Sequence, residues 1–178
     1  MILNIFFYNY SIRMENTDEK FYVNEQGVYF LSGYLSQWYV APMVIDGINY
    51  NCCEKRMMHM KAVKFNDEIR ANLILASEDP KEIKKLGREV INFNDDEWDA
   101  IADEVVFNAN LAKFSQNENL KQELLSTGDR IIIECAPYDK RWGNGLNITD
   151  TLKTPQDKWE GSNRLGKILM RVRTELMN

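Results

Sequence analysis

The chain has 178 residues, and its 22 basic and 27 acidic side chains give a formal net charge of −5. This length suits one domain with a core of its own, and the acidic balance excludes non-specific coating of nucleic acid as the main activity. Three cysteines and one histidine supply neither a disulfide framework nor a structural zinc site. The composition therefore predicts a reduced, intracellular (cytoplasmic) domain that needs no metal or other cofactor.

The first ten residues, Met1 to Tyr10, are apolar and aromatic but too few to span a bilayer. This segment has neither the preceding basic residues nor the small-residue cleavage site of a secretory signal. We treat residues 1–19 as an N-terminal extension, either an edge strand or a segment upstream of a natural start at Met14. Residues 20–178 are predicted to form the domain, and no membrane association is expected.

Residues 20–50 are predicted to form β structure. The run from Tyr39 to Ile45 leads into Asp46-Gly47 and then into Ile48 to Tyr50, which is a two-residue hairpin signal.

After the hairpin, apolar residues recur at helical spacing. Asn51 is predicted to cap a helix that ends near Phe65, and the next helix is predicted to bury Ile69, Leu73 and Ala76. Further helices are predicted at about 80–87, 96–114, 118–126 and 163–177, with a buried strand at 130–135 and a long loop at 138–162. The pattern indicates an α+β fold, a predominantly helical single domain with a small antiparallel sheet.

One face of the first predicted helix carries two opposite charges on an apolar stripe. The stripe consists of Glu54, Met57, Met58, Lys61 and Phe65. Two turns of helix separate the two charges by about 10 Å along the axis, close enough to converge on a ligand. Buried ionisable groups in a cleft are candidates for catalysis.

Purely structural roles for the same residues remain as alternatives. Glu54 lies three residues after Asn51, the spacing of a capping box, and Lys61 can extend from the edge of the core to solvent. The opposite helix face is expected to be solvated, at Lys55, Arg56 and His59.

The loop after the predicted buried strand contains a Trp-Gly pair. Trp142 is suited to stack on a planar base, Asp139 to accept hydrogen bonds from that base, and Gly143 to let a ligand approach the backbone. Alternatively, Trp142 only covers the core.

The entry to the last helix is a second candidate binding segment. Asn163 and Arg164, with the exposed N–H groups of the helix start, are suited to hold a phosphate. A plain N-cap at Ser162 or Asn163 is the alternative.

The motifs also follow a recognisable order. In chain order they are Ser36-Gln37-Trp38, Ala41-Pro42-Met43, Asp46-Gly47, Cys53-Glu54, Lys61-Ala62, Phe65-Asn66-Asp67, Leu86-Gly87-Arg88, Trp98, Ala112-Lys113-Phe114, Leu124 to Asp129, Trp142-Gly143-x-Gly145-Leu146 and Trp159 to Arg173. In order and spacing, this set resembles the NADAR, or YbiA-like, superfamily over about residues 20–176.

The resemblance implies a mainly helical α+β fold and a metal-independent N-glycosidase activity. Family members cleave ribosyl N-glycosidic bonds in early riboflavin-pathway intermediates, and others remove ADP-ribose from guanine bases in nucleic acid. The family's glutamate and lysine correspond to Glu54 and Lys61, and its loop tryptophan and aspartate to Trp142 and Asp139. Trp38 joins the expected substrate-binding residues through the Ser36-Gln37-Trp38 motif.

We therefore expect an enzyme that removes ADP-ribose from guanine in DNA and so reverses toxin-type modification. Glu54 is predicted to stabilise charge or transfer protons, and Lys61 to act as a Schiff-base nucleophile. The alternatives are an N-glycosidase of riboflavin-pathway ribosyl phosphates and a non-catalytic module that binds ADP-ribose or NAD. A DNA substrate predicts a basic rim at Lys140, Arg141, Lys153 and Lys158.

Overall fold

The structure, a computed structural model, describes residues 20–178, so both hypotheses about residues 1–19 lie outside the described residues. The elements are β1 (Phe21–Val23), β2 (Gly27–Phe30), β3 (Met43–Ile45), β4 (Ile48–Tyr50), α1 (Cys53–Lys64), α2 (Glu68–Ala76), α3 (Pro80–Arg88), α4 (Asp95–Ser115), α5 (Glu118–Ser126), β5 (Ile131–Glu134), α6 (Ile148–Lys153), a 3₁₀ turn (Gln156–Lys158) and α7 (Arg164–Met177). The predicted helical α+β fold is confirmed. No helix in this part of the chain is long and apolar enough to cross a membrane.

The main sheet has three strands in the order β1-β2-β5. β1 pairs antiparallel with β2, as predicted, but β5 joins β2 in parallel, with Gly27 opposite Ile131. The expected antiparallel sheet therefore needs correction at this pairing. A parallel neighbour requires a long crossover, and α1 to α5 form it here. Short turn signals predict hairpins, whereas the direction of a strand that returns after five helices depends on how those helices pack.

The second sheet is the predicted hairpin of β3 and β4. Asp46 and Gly47 form its turn with φ values of 53° and 78°, the left-handed conformation that type I′ hairpin turns require. The hairpin packs through Met43 and Tyr50 against the start of α1 and the middle of α4.

Helix α1 lies at the centre of the helical layer, in contact with α2, α3 and α4. The apolar members of its predicted core face, Met57, Met58 and Phe65, are buried in the main hydrophobic cluster.

The opposite face of α1 is also buried, so the expectation that it is solvated is wrong. Lys55 is 2% exposed and its Nζ lies 2.7 Å from Glu78. Arg56 donates to the Tyr50 hydroxyl at 2.9 Å, and His59 Nδ1 lies 2.8 Å from the same oxygen. The β3–β4 hairpin covers this face, and the periodicity of a single helix does not show which of its polar faces another element will cover.

Helix α2 buries a different face from the predicted one. Asp67 caps the helix with its side chain, and Ala71 and Ile74 are buried, whereas Ile69 and Leu73 are exposed. The prediction was wrong because this short helix has apolar residues around much of its circumference, so spacing alone does not select the buried side.

Helix α7 packs directly on β5. A Cβ at Gly166 would lie 2.1 Å from the Ile132 carbonyl oxygen, so only glycine fits at this contact. Leu165 and Leu169 are fully buried beside it, as predicted. The segment predicted as a loop at 138–162 contains α6 and the 3₁₀ turn.

Candidate active site

Glu54, the first predicted catalytic residue, lies in the first turn of α1 and is 5% exposed. Its N–H donates to the Gln37 carbonyl oxygen at 3.0 Å, which anchors the start of the helix. Burial raises the pKa of the Glu54 carboxyl, and the ammonium of Lys84 partly offsets this effect. The N-cap residue is Cys52, so the capping-box interpretation, which requires Asn51 at that position, is wrong.

Lys61, two turns further along α1, is held between α1 and α3. Its Nζ donates to the Gly87 carbonyl oxygen at 2.8 Å and lies 4.0 Å from the centre of the Phe93 ring. Gly87 lets α3 pack closely against α1, since a Cβ at this position would lie 2.0 Å from Met58 Sδ. Burial lowers the pKa of Lys61, although Asp95 opposes the effect. A lowered pKa increases the neutral amine that a nucleophilic lysine needs.

The structure adds a residue that sequence reasoning missed, Glu134 at the end of β5. Its Oε2 is buried and has no hydrogen-bond partner within residues 20–178. Burial, followed by the neighbouring Asp139 carboxylate, raises the pKa of Glu134 to about 8; Lys84 opposes this rise and Glu54 adds to it. At neutral pH this carboxyl therefore holds a proton that it can donate. The signal in the sequence was an acidic residue directly after three isoleucines.

Asp139 links these groups electrostatically, because its charge raises the pKa of both Glu54 and Glu134. Its Oδ1 accepts hydrogen bonds from the N–H groups of Arg141, at 3.1 Å, and Trp142, at 2.8 Å. This oxygen therefore shapes the Trp-Gly loop. Within the described range, no group of three or more His, Cys, Asp or Glu side chains is placed to hold a metal ion.

Gly143 lets the same loop fold back over the end of β5. A Cβ at this position would lie 2.8 Å from the Ala136 Cβ and 3.0 Å from the Glu134 carbonyl oxygen. The next residue, Asn144, donates its N–H to that carbonyl at 2.9 Å. The observed role of Gly143 is thus to hold the backbone of Glu134 in place, and its contact with a substrate stays a prediction.

Trp142 is half-buried and packs against the main core. This agrees with the alternative hypothesis that Trp142 covers the core. The guanidinium carbon of Arg164 lies 4.9 Å from the centre of the Trp142 ring, and Arg164 also pairs with Asp99 and Asp103 on α4. The guanidinium and the core thus both contact the ring, and stacking of a substrate base on Trp142 stays a prediction.

Asn163 has a structural position at the start of α7. Its Oδ1 accepts a hydrogen bond from the Glu134 N–H at 3.0 Å, and its Nδ2 donates to the Ile132 carbonyl oxygen at 2.9 Å. Both polar atoms of the Asn163 amide are therefore hydrogen-bonded to β5, and the guanidinium of Arg164 is paired with carboxylates of α4. Both residues thus have intramolecular partners, and their role in binding a phosphate stays a prediction.

Trp38 lies beside Glu54, because its neighbour Gln37 accepts the hydrogen bond from the Glu54 N–H. The Trp38 ring is 37% exposed and lies 5.5 Å from the Nζ of Lys84. It borders a cavity of about 420 Å³ whose other lining residues are cations of α3.

Comparison with known proteins gives the family. The family model described as the NADAR domain matches residues 20–177. The chain belongs to the NADAR family. Among similar proteins, the N-glycosidase R617 of Acanthamoeba polyphaga mimivirus is 38% identical over 157 residues, which cover 85% of this chain and 90% of R617. The riboflavin biosynthesis protein VVA0006 of Vibrio vulnificus is 31% identical over 159 residues, covering 86% of this chain but 40% of that longer protein.

The fold of this NADAR domain is also similar to a solved structure. The NMR structure of the E. coli protein YbiA superimposes with a TM-score of 0.71 and 25% sequence identity, over 90% of each chain. The predicted membership in a family of N-glycosidases is therefore confirmed. The roles predicted for Glu54 and Lys61 stay predictions at this level.

Proposed function

We propose that this NADAR domain hydrolyses the ribosyl N-glycosidic bond of ADP-ribosylated guanine in DNA. The products are ADP-ribose and the restored base, so the reaction reverses a toxin-type modification. One observation carries the proposal: α1 holds both Glu54 and Lys61, two turns apart, and burial raises the pKa of the carboxyl and lowers that of the amine. Burial also raises the pKa of Glu134, whose carboxyl is the proposed proton donor. Cleavage of a glycosidic bond needs a proton for the leaving group and a negative charge near the sugar.

The proposed reaction starts with the protonated Glu134. As the bond between the ribose C1″ and the guanine nitrogen breaks, Glu134 gives its proton to that nitrogen, and the Glu54 carboxylate stabilises the positive charge on the ribose. The neutral amine of Lys61 gives up its hydrogen bond to the Gly87 carbonyl oxygen and attacks C1″. It then loses a proton to the Glu134 carboxylate. Ring opening gives a Schiff base, and one water then hydrolyses it, which releases ADP-ribose and frees the amine.

The decisive test uses an oligonucleotide that carries one ADP-ribosylated guanine, with products measured by mass spectrometry. The wild type is expected to restore guanine and release ADP-ribose, while Lys61→Met and Glu54→Gln each lose about 10²–10⁴-fold in rate. The matched control is Lys64→Met, one turn further along the same helix at an exposed position, which is expected to keep the wild-type rate.

Borohydride separates the Schiff-base route from direct hydrolysis. During turnover it should reduce the intermediate to a stable adduct on the wild-type protein and on Lys64→Met, but not on Lys61→Met. A folded Lys61→Met variant with a near-wild-type rate would exclude the covalent route.

A second candidate is an N-glycosidase of early riboflavin-pathway ribosyl phosphates. The similarity to VVA0006, named as a riboflavin biosynthesis protein, favours it. The same variants, assayed for release of the base from pyrimidine ribosyl phosphates, decide between the two substrates. If neither substrate is cleaved while ADP-ribose binds, the domain is a binding module.

A further inference from the structure

Four cations on α3 form a surface to which the proposed chemistry assigns no ligand, although the charge of Lys84 lowers the pKa of Glu54 and Glu134. They occupy positions i, i+3, i+4 and i+7 of one helix face, which spans about 10 Å along the axis. With Trp38 they line the 420 Å³ cavity and are termed here the α3 basic surface: Lys81, Lys84, Lys85 and Arg88. Within residues 20–178, none of the four forms an ion pair.

Three acidic side chains next to this surface have other partners, whereas Glu89, four residues after Lys85, is exposed. Glu78 pairs with Lys55 at 2.7 Å, and Glu82 accepts a hydrogen bond from the Ser77 hydroxyl at 2.6 Å. Asp79 caps α3 by accepting from a backbone N–H of its first turn at 3.0 Å. The four cations therefore have no carboxylate at ion-pair distance within residues 20–178, in a chain whose net charge is −5.

Two residues of the rim predicted from the sequence differ in this respect, whereas Lys153 has no ion pair within residues 20–178 and Lys158 lies 3.9 Å from Asp157. Lys140 pairs with Glu160 at 2.7 Å, and Arg141 pairs with Asp95 at 2.8 Å. A ligand phosphate would have to displace these carboxylates, whereas on the α3 basic surface it displaces only solvent and salt ions.

Trp38 connects the α3 basic surface to the catalytic residues. Its N–H donates to the Ser36 hydroxyl at 3.2 Å, and the preceding Gln37 is bound to the start of α1 beside Glu54. An exposed aromatic ring next to a row of cations is the arrangement by which proteins bind single strands, with bases stacked on the ring and phosphates along the cations.

We propose that the α3 basic surface binds the phosphodiester backbone of a single strand that flanks the target guanine, with a neighbouring unpaired base stacked on Trp38. This inference rests on the proposed function for its choice of polyanion. A single strand fits better than a duplex because a paired base cannot leave its stack to lie on Trp38 without a cost.

The test measures binding of an unmodified, fluorescein-labelled oligothymidylate by anisotropy, so that it does not depend on turnover. Lys81→Glu with Lys85→Glu is expected to weaken binding at least tenfold and to reduce the slope of log K against log salt by about 1.4, since two phosphate contacts are lost. Trp38→Ala is expected to weaken binding roughly tenfold with an unchanged salt slope. The matched control, Lys153→Glu with Lys158→Glu, changes the net charge equally and removes two cations of the rim predicted from the sequence.

Each outcome decides one of the two proposals. Equal weakening by both double variants, a larger effect of the control, or no binding by the wild type at low salt overturns the α3 assignment. If the wild type binds the strand through α3 but releases no ADP-ribose from modified guanine, the inference stands and the proposed function fails. If the wild type and the α3 double variant release ADP-ribose from a single-stranded substrate at the same rate, the proposed function stands and the inference fails.

Discussion

Replacing Glu134 by glutamine tests the central feature of the site, a buried carboxyl that keeps its proton at neutral pH. The pKa of Glu134 rises from 4.5 to about 8 on folding, so between these values the folded chain holds a proton that the unfolded chain has lost. Stability contributed by this group is therefore lost as pH rises through that range. Glutamine does not titrate. From about pH 5 to pH 8, the variant should gain about 3–4 kcal/mol in unfolding free energy relative to the wild type.

Urea denaturation at several pH values measures this difference, and comparison between pH values cancels any pH-independent effect of the amide. The glycosidase rate of the variant is expected to fall about 10²–10⁴-fold, and kcat/KM of the wild type should decline above about pH 8 as Glu134 loses its proton. Glu89→Gln, at an exposed position, serves as the control. A stability difference that does not change with pH would refute the argument that Glu134 is protonated in the folded protein.

Three further substitutions test the surroundings of the site. Gly87→Ala places a methyl group 2.0 Å from Met58 Sδ and should destabilise the fold by about 1–3 kcal/mol in thermal unfolding; unchanged stability would contradict the observed helix contact. Asn163→Ala removes the hydrogen bond to the Glu134 N–H and should cost about 1–3 kcal/mol, whereas a rise in KM without loss of stability would support its predicted phosphate role. Arg164→Gln should cost no more than about 1 kcal/mol, since its ion pairs lie at the surface, with KM unchanged in steady-state assays.

The proposed catalytic pair on α1 could be predicted from the sequence because one helix supplies both members. Glu54 and Lys61 stand seven residues apart, and helical geometry alone places them on one side. Glu134 gave no comparable signal, because its raised pKa depends first on burial by the rest of the fold and then on the charge of Asp139.

The predicted phosphate site at Asn163 and Arg164 stays a prediction, and the sequence pattern behind it leaves a similar point open. Asn and Arg at a helix start are typical of anion sites, but this pattern does not say whether the donors already have partners. In the fold, the side-chain amide of Asn163 is hydrogen-bonded to β5, and the guanidinium of Arg164 is paired with a carboxylate of α4. The cations of α3 are the opposite example, because their sequence pattern predicts no site but their position in the fold suggests one. Their spacing is that of any solvated helix face, and only the fold places them beside Trp38.

By itself, the sequence determined the local features of this NADAR domain. Turn chemistry specified the hairpin at Asp46-Gly47, periodicity specified most helices, and motif order specified the family. Only the tertiary structure decided the parallel pairing of β5 with β2, the burial of both faces of α1 and the protonated state of Glu134. These features depend on which distant groups come into contact. Local backbone preferences act over a few residues, whereas burial and charge act through space.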